Sequence, residues 1–340
     1  MTVYEKKVHD LCFIIPSKVL RHFADRVTGQ ERRALLDAIE ESAHLRGQRS
    51  VAGIAALTSM QTGEKRRTVF DARGKKTLPG KLVRGEGDKA VTDQAVDQAY
   101  DGAGATYDFY LEVLGRKSID GRGLRIDSTV HYDRQFNNAF WNGRQMVYGD
   151  GDGRLFLGFT GALDVIAHEL THGVTQYSVP GGGLVYQDQS GALNESISDV
   201  IGSVVKQRTA KQTVGDADWL IGAGIMAPGV GKALRSMRDP GNKGLTWEGD
   251  DQPKHMRGYV EGGDVHTNSG IPNHAFYLAA NALGGSSWEK AAPIWYRSLS
   301  LLTPNATFED AKKATIDAAG LLFSKEEQNS VSEAWKAVGV

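Results

Sequence analysis

Two histidines four residues apart, His168 and His172, with Glu169 directly after the first, are the part of this sequence best equipped for chemistry. On a helix, residues four apart leave the same face one turn apart, so both imidazoles can reach one point. That spacing suits two nitrogens of a tetrahedral zinc site, and Glu169 could reach a water held on the metal. The neighbours Val165, Ile166, Leu170 and Val174 are apolar, the pattern of a helix buried on most sides. Zinc held by two His needs a third protein ligand, commonly a carboxylate. Glu195 offers one, in Asn194-Glu-Ser-Ile-Ser-Asp199, within an apolar-periodic helix running on through Val200, Val204 and Val205. Asp199 lies one turn beyond Glu195, faces the same way, and can accept the second ring N–H of a ligating His. Two core histidines with no metal would show the same spacing. The second segment weighs against that reading.

His-Glu-Leu-Thr-His followed by Asn-Glu-Ser-Ile-Ser-Asp resembles the thermolysin-like family of zinc metallopeptidases, and within it the protealysin-type members made with a short precursor. The resemblance runs from about Arg67 to the C-terminus, with a weaker one over the first 50 residues. It implies an α+β fold of two lobes, a β-rich N-terminal lobe (51–182) and a helical C-terminal lobe (183–340) joined by the zinc helix, preceded by a short helical pro-segment (1–50). Zinc is then held by His168, His172 and Glu195, and Glu169 is the general base. His266 and Tyr186 stabilise the oxyanion. Asn138 and the backbone of Ala139 bind the substrate as an added strand, and Arg235 binds a substrate carbonyl. Phe156, Phe159, Val165, Ile221, Ile225 and Leu234 line a pocket for a large apolar residue after the cleaved bond. The acid that orients His266 is usually an Asp; Glu261 stands there in this sequence, with Asp264 an additional candidate, and the residues leave the choice open.

Other positions have departed from the family pattern. Asp164 and Asp218 match two calcium-binding positions, but Lys206, Leu220 and Ala223 occupy others, and Lys232 replaces an acid of another calcium site. A lysine in a cation cage is electrostatically wrong, so calcium is not expected. Asp150-Gly-Asp152-Gly reads as a turn.

The elements that must carry these residues can be read along the chain. Phe13-Ile14-Ile15 is an extended apolar run that Pro16 ends, and Val19, Leu20, Phe23 and Val27 follow at helical spacing. Precursors of the protealysin type begin with a similar Ile-Ile-Pro, usually followed by a second Pro and an aromatic or Leu; Ser17 and Lys18 stand here instead. A second helix carries Leu35, Leu36, Ile39 and Ala43, and Arg46 to Arg49 reads as an exposed basic linker open to cleavage between about 44 and 52. Cys12 has two readings, a small buried hydrophobe or a thiolate on zinc. Short strands are expected around Thr68–Phe70, Leu124–Tyr132 and Gln145–Tyr148, with a helix over Ala90–Leu114. His131, His255 and His274 read as structural. Thr307 to Asp310 and Ser324 to Glu327 read as capping boxes.

Composition excludes other classes. Among 340 residues, 40 basic and 41 acidic side chains give a net charge of −1, which points away from nucleic acid and anionic membranes. A single Cys excludes an intrachain disulfide, and no apolar run reaches membrane-spanning length. Met1 to Leu11 lacks the apolar core of a secretory signal. Cytoplasmic synthesis is expected, with the protein staying there or leaving by a non-classical route. The expected function is a latent zinc endopeptidase acting on peptides or proteins, with its own pro-segment as intramolecular inhibitor. Two rivals stand beside it: a catalytically silent zinc protein, and a hydrolase of non-peptide amides.

Overall fold

A five-stranded sheet and two crossing helices position the site. The computed structural model describes residues 11–52 and 64–340; the reading of residues 1–10 as lacking a signal lies outside them. The sheet comprises β1 (Arg67–Lys75), β2 (Lys81–Arg84), β3 (Ile126–Tyr132), β4 (Ala139–Trp141) and β5 (Met146–Tyr148). Its order is β2-β1-β3-β5-β4, with β1, β3 and β5 parallel and β2 and β4 antiparallel to their neighbours. β4 is thus an edge, with one row of backbone groups left for another strand. A long helix, α3 (Gln94–Leu114), packs on the sheet. Asp93 caps it by accepting from the Ala95 N–H, and Gly115 ends it at φ 65°, a conformation free for glycine.

The zinc helix α4 (Leu163–Ser178) is buried continuously from Asp164 to Thr175. It packs against α5 (Asp188–Thr209), the first helix of the C-terminal lobe. Gly202 of α5 permits the approach, since a Cβ there would sit 2.5 Å from the Asp164 carbonyl oxygen. The strands β6 (Leu220–Ile221) and β7 (Arg235–Ser236), the short α6 (Val265–Asn268) and four further helices complete this lobe. The last two helices, Phe308–Leu322 and Lys325–Ala337, start with the expected capping boxes. Among the described residues no helix is long and apolar enough to cross a membrane.

Ahead of the sheet, α1 (Ser17–Ala24) begins after Pro16 and packs against α2 (Gly29–Ala52). Two expectations change here. Leu35, Ala38 and Ser42 form the buried stripe of α2, whereas Ala43 is exposed. Residues 46–49 are helical backbone, not a linker. One glycine inside a helix costs only ~1 kcal/mol, and flanking Arg and Gln are good helix formers. A cut between 44 and 52 therefore requires the end of α2 to unwind, because a cleft that binds strands takes extended backbone.

His131 proves structural. Its Nδ1 lies 2.8 Å from Asp150 Oδ1 and its Nε2 2.8 Å from Asp93 Oδ2, tying the cap of α3 to the loop after β5. The Asp150 hydrogen bond, helped by Asp93 against partial burial, raises the His131 pKa from 6.5 to about 9. The folded value exceeds the unfolded one, so this stabilisation is complete below about 6.5 and disappears as pH rises through about 9. Melting curves should show wild type above His131→Asn at the acid end of that window and the gap closing at its alkaline end. A gap independent of pH would contradict the ion triad.

Candidate metal and catalytic centre

His168 and His172 leave α4 one turn apart, and their Nε2 atoms lie 3.1 Å from each other. Glu195 reaches across from α5, with Oε2 3.4 Å from His168 Nε2 and Oε1 3.5 Å from His172 Nε2. Zn–N bonds of ~2.0–2.1 Å at a tetrahedral angle would set two nitrogens about 3.3 Å apart, close to this spacing. All three side chains are at most 3% exposed, and Glu195 Oε2 has no hydrogen-bond partner. An orphaned carboxylate oxygen in the interior is costly unless a cation answers it. The donor set fits zinc.

The outer ring nitrogens fix the orientation. His168 Nδ1 lies 2.8 Å from Asp199 Oδ1, and His172 Nδ1 lies 2.9 Å from Asn194 Oδ1 and 3.1 Å from Ser198 Oγ. Donation outward from Nδ1 leaves the Nε2 lone pairs for a metal. Asp199 is itself clamped by Arg235, which donates from Nε and Nη2 at 2.8 Å each, and by Asn273 Nδ2 at 2.9 Å. Burial opposes the Asp199 charge, but Arg235 and His168 hold its pKa well below the usual carboxylate range. Burial likewise opposes charge on His168, yet Asp199 and Glu195 raise its pKa to about 9. The two carboxylates call for a cation at this point, which a proton or a divalent metal can supply.

Glu169, between the two histidines, accepts the Trp141 backbone N–H of β4 at Oε2 (3.0 Å), while Oε1 is buried without a partner. Burial pushes its pKa up to about 8. Burial makes this carboxylate a stronger base than an exposed one, and a divalent cation beside it would favour the ionised form that accepts a proton.

On the other side, the Tyr186 hydroxyl donates to Glu195 Oε1 (2.5 Å) and lies 3.2 Å from His266 Nε2. Asp264 is the acid that orients His266: Oδ1 lies 3.0 Å from Nδ1 and also accepts the His266 backbone N–H at 2.8 Å. Glu261 is exposed and shows no contact with His266 among the described residues. Asp264 caps α6 two residues before His266, so it shares the turn that carries the imidazole, which Glu261 does not. Burial opposes protonation of His266, but Glu195 and Asp264 raise its pKa, and an imidazolium donates from both nitrogens.

A stretch of the chain's own N-terminal part runs past these groups; the extended run expected over Phe13-Ile14-Ile15 is bent at Ile14 and Ile15, just before Pro16 and the start of α1. The Ile14 N–H donates to Ala139 O of β4 (3.2 Å), and Arg235 Nη1 donates to Ile14 O (3.4 Å). Asn138 brackets Ile15, accepting its N–H at Oδ1 (2.9 Å) and donating from Nδ2 to its carbonyl (3.0 Å). His266 Nε2 lies 3.1 Å from Phe13 O. Phe156, Phe159, Val165, Ile221, Ile225 and Leu234 are all buried in the continuous apolar core that includes Ile14. The sequence reading assigned no role to Asn194, Ser198, Asn273 or the Trp141 N–H. Asn194 and Ser198 had a usable signal, each sharing the helix of Glu195; Asn273 is 74 positions from Asp199 and had none.

Models of the thermolysin metallopeptidase catalytic domain and of its alpha-helical domain match residues 47–176 and 182–340. An extracellular metalloprotease of Pectobacterium carotovorum subsp. carotovorum is 45% identical over 353 aligned positions covering 98% of each chain. A thermolysin of Alicyclobacillus acidocaldarius subsp. acidocaldarius is 45% identical over 80% of this chain, which spans only 50% of that protein's length. Among solved structures, the precursor of protealysin, a metalloproteinase from Serratia proteamaculans, superposes with a TM-score of 0.87 at 44% identity, covering 97% of this chain and 99% of that one. The chain belongs to the thermolysin metallopeptidase family. It is a zinc metalloendopeptidase of the protealysin type, made with a pro-segment.

Replacing Glu195 by Gln keeps the shape but removes the charge that answers the metal. Elemental analysis should find close to one zinc per wild-type chain and little in Glu195→Gln. Full zinc occupancy in that variant would mean the third ligand lies elsewhere.

Proposed function

We propose that this centre cleaves bonds preceding large apolar residues, and that the first helical segment of the same chain holds it latent. One observation carries the reading. Every backbone polar group from the Phe13 carbonyl to the Ile15 carbonyl is engaged by a cleft residue, as a substrate strand would be. The Phe13–Ile14 bond thereby lies at the catalytic groups, and Ile14, 0% exposed, marks the position after the bond.

His168, His172 and Glu195 would hold the zinc, which would supply an activated water and polarise the carbonyl. The remaining work falls to the chain. Glu169 takes a proton on Oε1 and delivers it to the departing amine. His266 and Tyr186 donate to the developing oxyanion, a role worth ~2.7–4 kcal/mol per donor in well-studied enzymes. Arg235, Asn138 and Ala139 hold the strand in register. A silent zinc protein is disfavoured by the unpartnered oxygen of Glu169. A non-peptide amidase is disfavoured by backbone contacts made on three successive residues.

Glu169→Gln should retain zinc and melting behaviour while peptide turnover falls by ~10²–10⁴-fold, the usual span for loss of a general base. Near-normal turnover would remove Glu169 from that role. For latency, burial of Ile14 is worth ~1.5–3 kcal/mol, so Ile14→Asp should shift the docking equilibrium of the full-length chain by roughly 10- to 150-fold. Its activity on a small peptide should rise accordingly toward that of a chain lacking residues 1–52. Equal activity of the full-length and trimmed chains would reduce the segment to a structural subdomain.

Calcium has no part in this reading. Lys206 Nζ lies 3.2 Å from Asp164 Oδ2, 2.9 Å from Asp218 Oδ1 and 2.6 Å from the Leu220 carbonyl oxygen. Its ammonium sits among the oxygens that would otherwise attract a divalent ion. Selective calcium removal should leave the melting temperature of the zinc-loaded protein unchanged; a drop of several degrees would contradict this.

A further inference from the structure

The Phe13–Ile14 bond presents a difficulty. Its carbonyl lies 3.1 Å from His266 Nε2 and its following residues are held in substrate register, so a competent centre should cut it. The residue immediately before it is Cys12, the single cysteine of the chain, which is buried. Cys12 Sγ belongs, with a ring nitrogen of His172 and a carboxylate oxygen of Glu195, to a cluster of ligand atoms all within 4.8 Å of one another. Independently, Glu195 Oε2 is buried without a hydrogen-bond partner and points into the same space, 3.4 Å from both His168 Nε2 and His266 Nε2. Cys12 Sγ therefore lies beside His172 and Glu195, two of the three ligand candidates, carried there by the docked segment.

Resting on the zinc reading above, we propose that Cys12 Sγ is the fourth zinc ligand of the precursor and occupies the position a water fills in the active enzyme. The thiol proton passes to solvent as the S–Zn bond forms, and one coordinated water leaves; nothing is oxidised or reduced. Two nitrogens, one carboxylate oxygen and one sulfur make an ordinary tetrahedral zinc set. The sulfur needs little affinity of its own, because the backbone contacts of Phe13 to Ile15 hold it beside the metal at high effective concentration. With no water on the metal, the Phe13–Ile14 bond survives in place although it is held as a substrate. Withdrawal of the strand removes sulfur and inhibitor together.

Replacing zinc with cobalt(II) in the full-length protein separates the possibilities. Visible d–d bands report metal at the histidine and glutamate ligands, and a near-ultraviolet sulfur-to-cobalt charge-transfer band reports Cys12. Wild type should show both. Cys12→Ser, checked for unchanged helix content by circular dichroism, should keep the visible bands and lose the charge-transfer band. After zinc loading, mass spectrometry should then find that variant cut between Phe13 and Ile14, while wild type stays whole at that bond. Visible bands without charge transfer in wild type would overturn thiol ligation and leave the zinc site intact. Absence of cobalt uptake would instead sink the zinc reading itself. An uncut Phe13–Ile14 bond in zinc-loaded Cys12→Ser would show that the sulfur is not what protects it.

Discussion

The structure depends on one electrostatic constraint: carboxylates buried between α4 and α5 must be answered by cations. Asp199 is answered twice, by the two-pronged grip of Arg235 and by His168. Among the described residues Glu195 is approached by three imidazoles, a tyrosine hydroxyl and the Cys12 sulfur, and one of its oxygens has no hydrogen bond. An unpaired ionised carboxylate in such surroundings would cost many kcal/mol and would normally neutralise itself. The neighbouring charges instead hold Glu195 ionised, with its pKa well below the usual range despite burial, and leave a place for a divalent metal. The contact of Gly202 with the Asp164 backbone sets the helix spacing that makes this arrangement possible.

That constraint links the site to the groups around it. Arg235 fixes Asp199, which fixes His168, and with another donor atom it holds the Ile14 carbonyl. Glu169 sits between the ligands and is tied to the edge strand through the Trp141 N–H. On the proposed reading, metal ligands, base and strand-binding edge are thus parts of one hydrogen-bonded unit. The same unit receives residues 13–15, so a segment that imitates a substrate backbone can cover it with main-chain hydrogen bonds and an apolar anchor. Polar contacts at the rim extend the docking: Lys18 to Asp251, His22 and Arg26 to Glu248, and Glu41 to Lys76 and Tyr132. These are mostly exposed pairs worth little individually. Burial of Leu11 to Ile15, Leu20 and Phe23 supplies most of the holding force.

How much of this could be read from the sequence follows from the range of each interaction. His168, Glu169, His172, Glu195 and Asp199 were legible from residue types and spacing because helical periodicity fixes which neighbours share a face. Asn138, Ala139, Tyr186, Arg235 and His266 were legible only through resemblance, because they reach the centre from four separate places in the chain: the start of β4, the loop before α5, β7 and α6. The orienting acid was left open between Glu261 and Asp264, and the cap geometry of a four-residue helix decides for Asp264. Asn273 gave no signal, since its bond to Asp199 exists only in the tertiary structure. Arg46 to Arg49 misled because glycine and basic residues look like a linker, whereas helical propensity across α2 outweighs a single Gly. Lys206 was visible as a charge out of place for a cation site; its bonds to Asp218 and the Leu220 carbonyl were not.

The central claim is that residues 13–15 occupy the substrate cleft, held there through their backbone groups. Native-state hydrogen exchange at the Ile14 and Ile15 amides of the full-length, zinc-loaded protein tests it most directly. Both N–H groups donate to cleft acceptors, Ala139 O and Asn138 Oδ1, so both should exchange as slowly as the amides pairing β4 with β5. Exchange at the rate of an exposed chain, with β4 and β5 still protected, would mean that the strand does not lie in the cleft and that the account of latency is wrong.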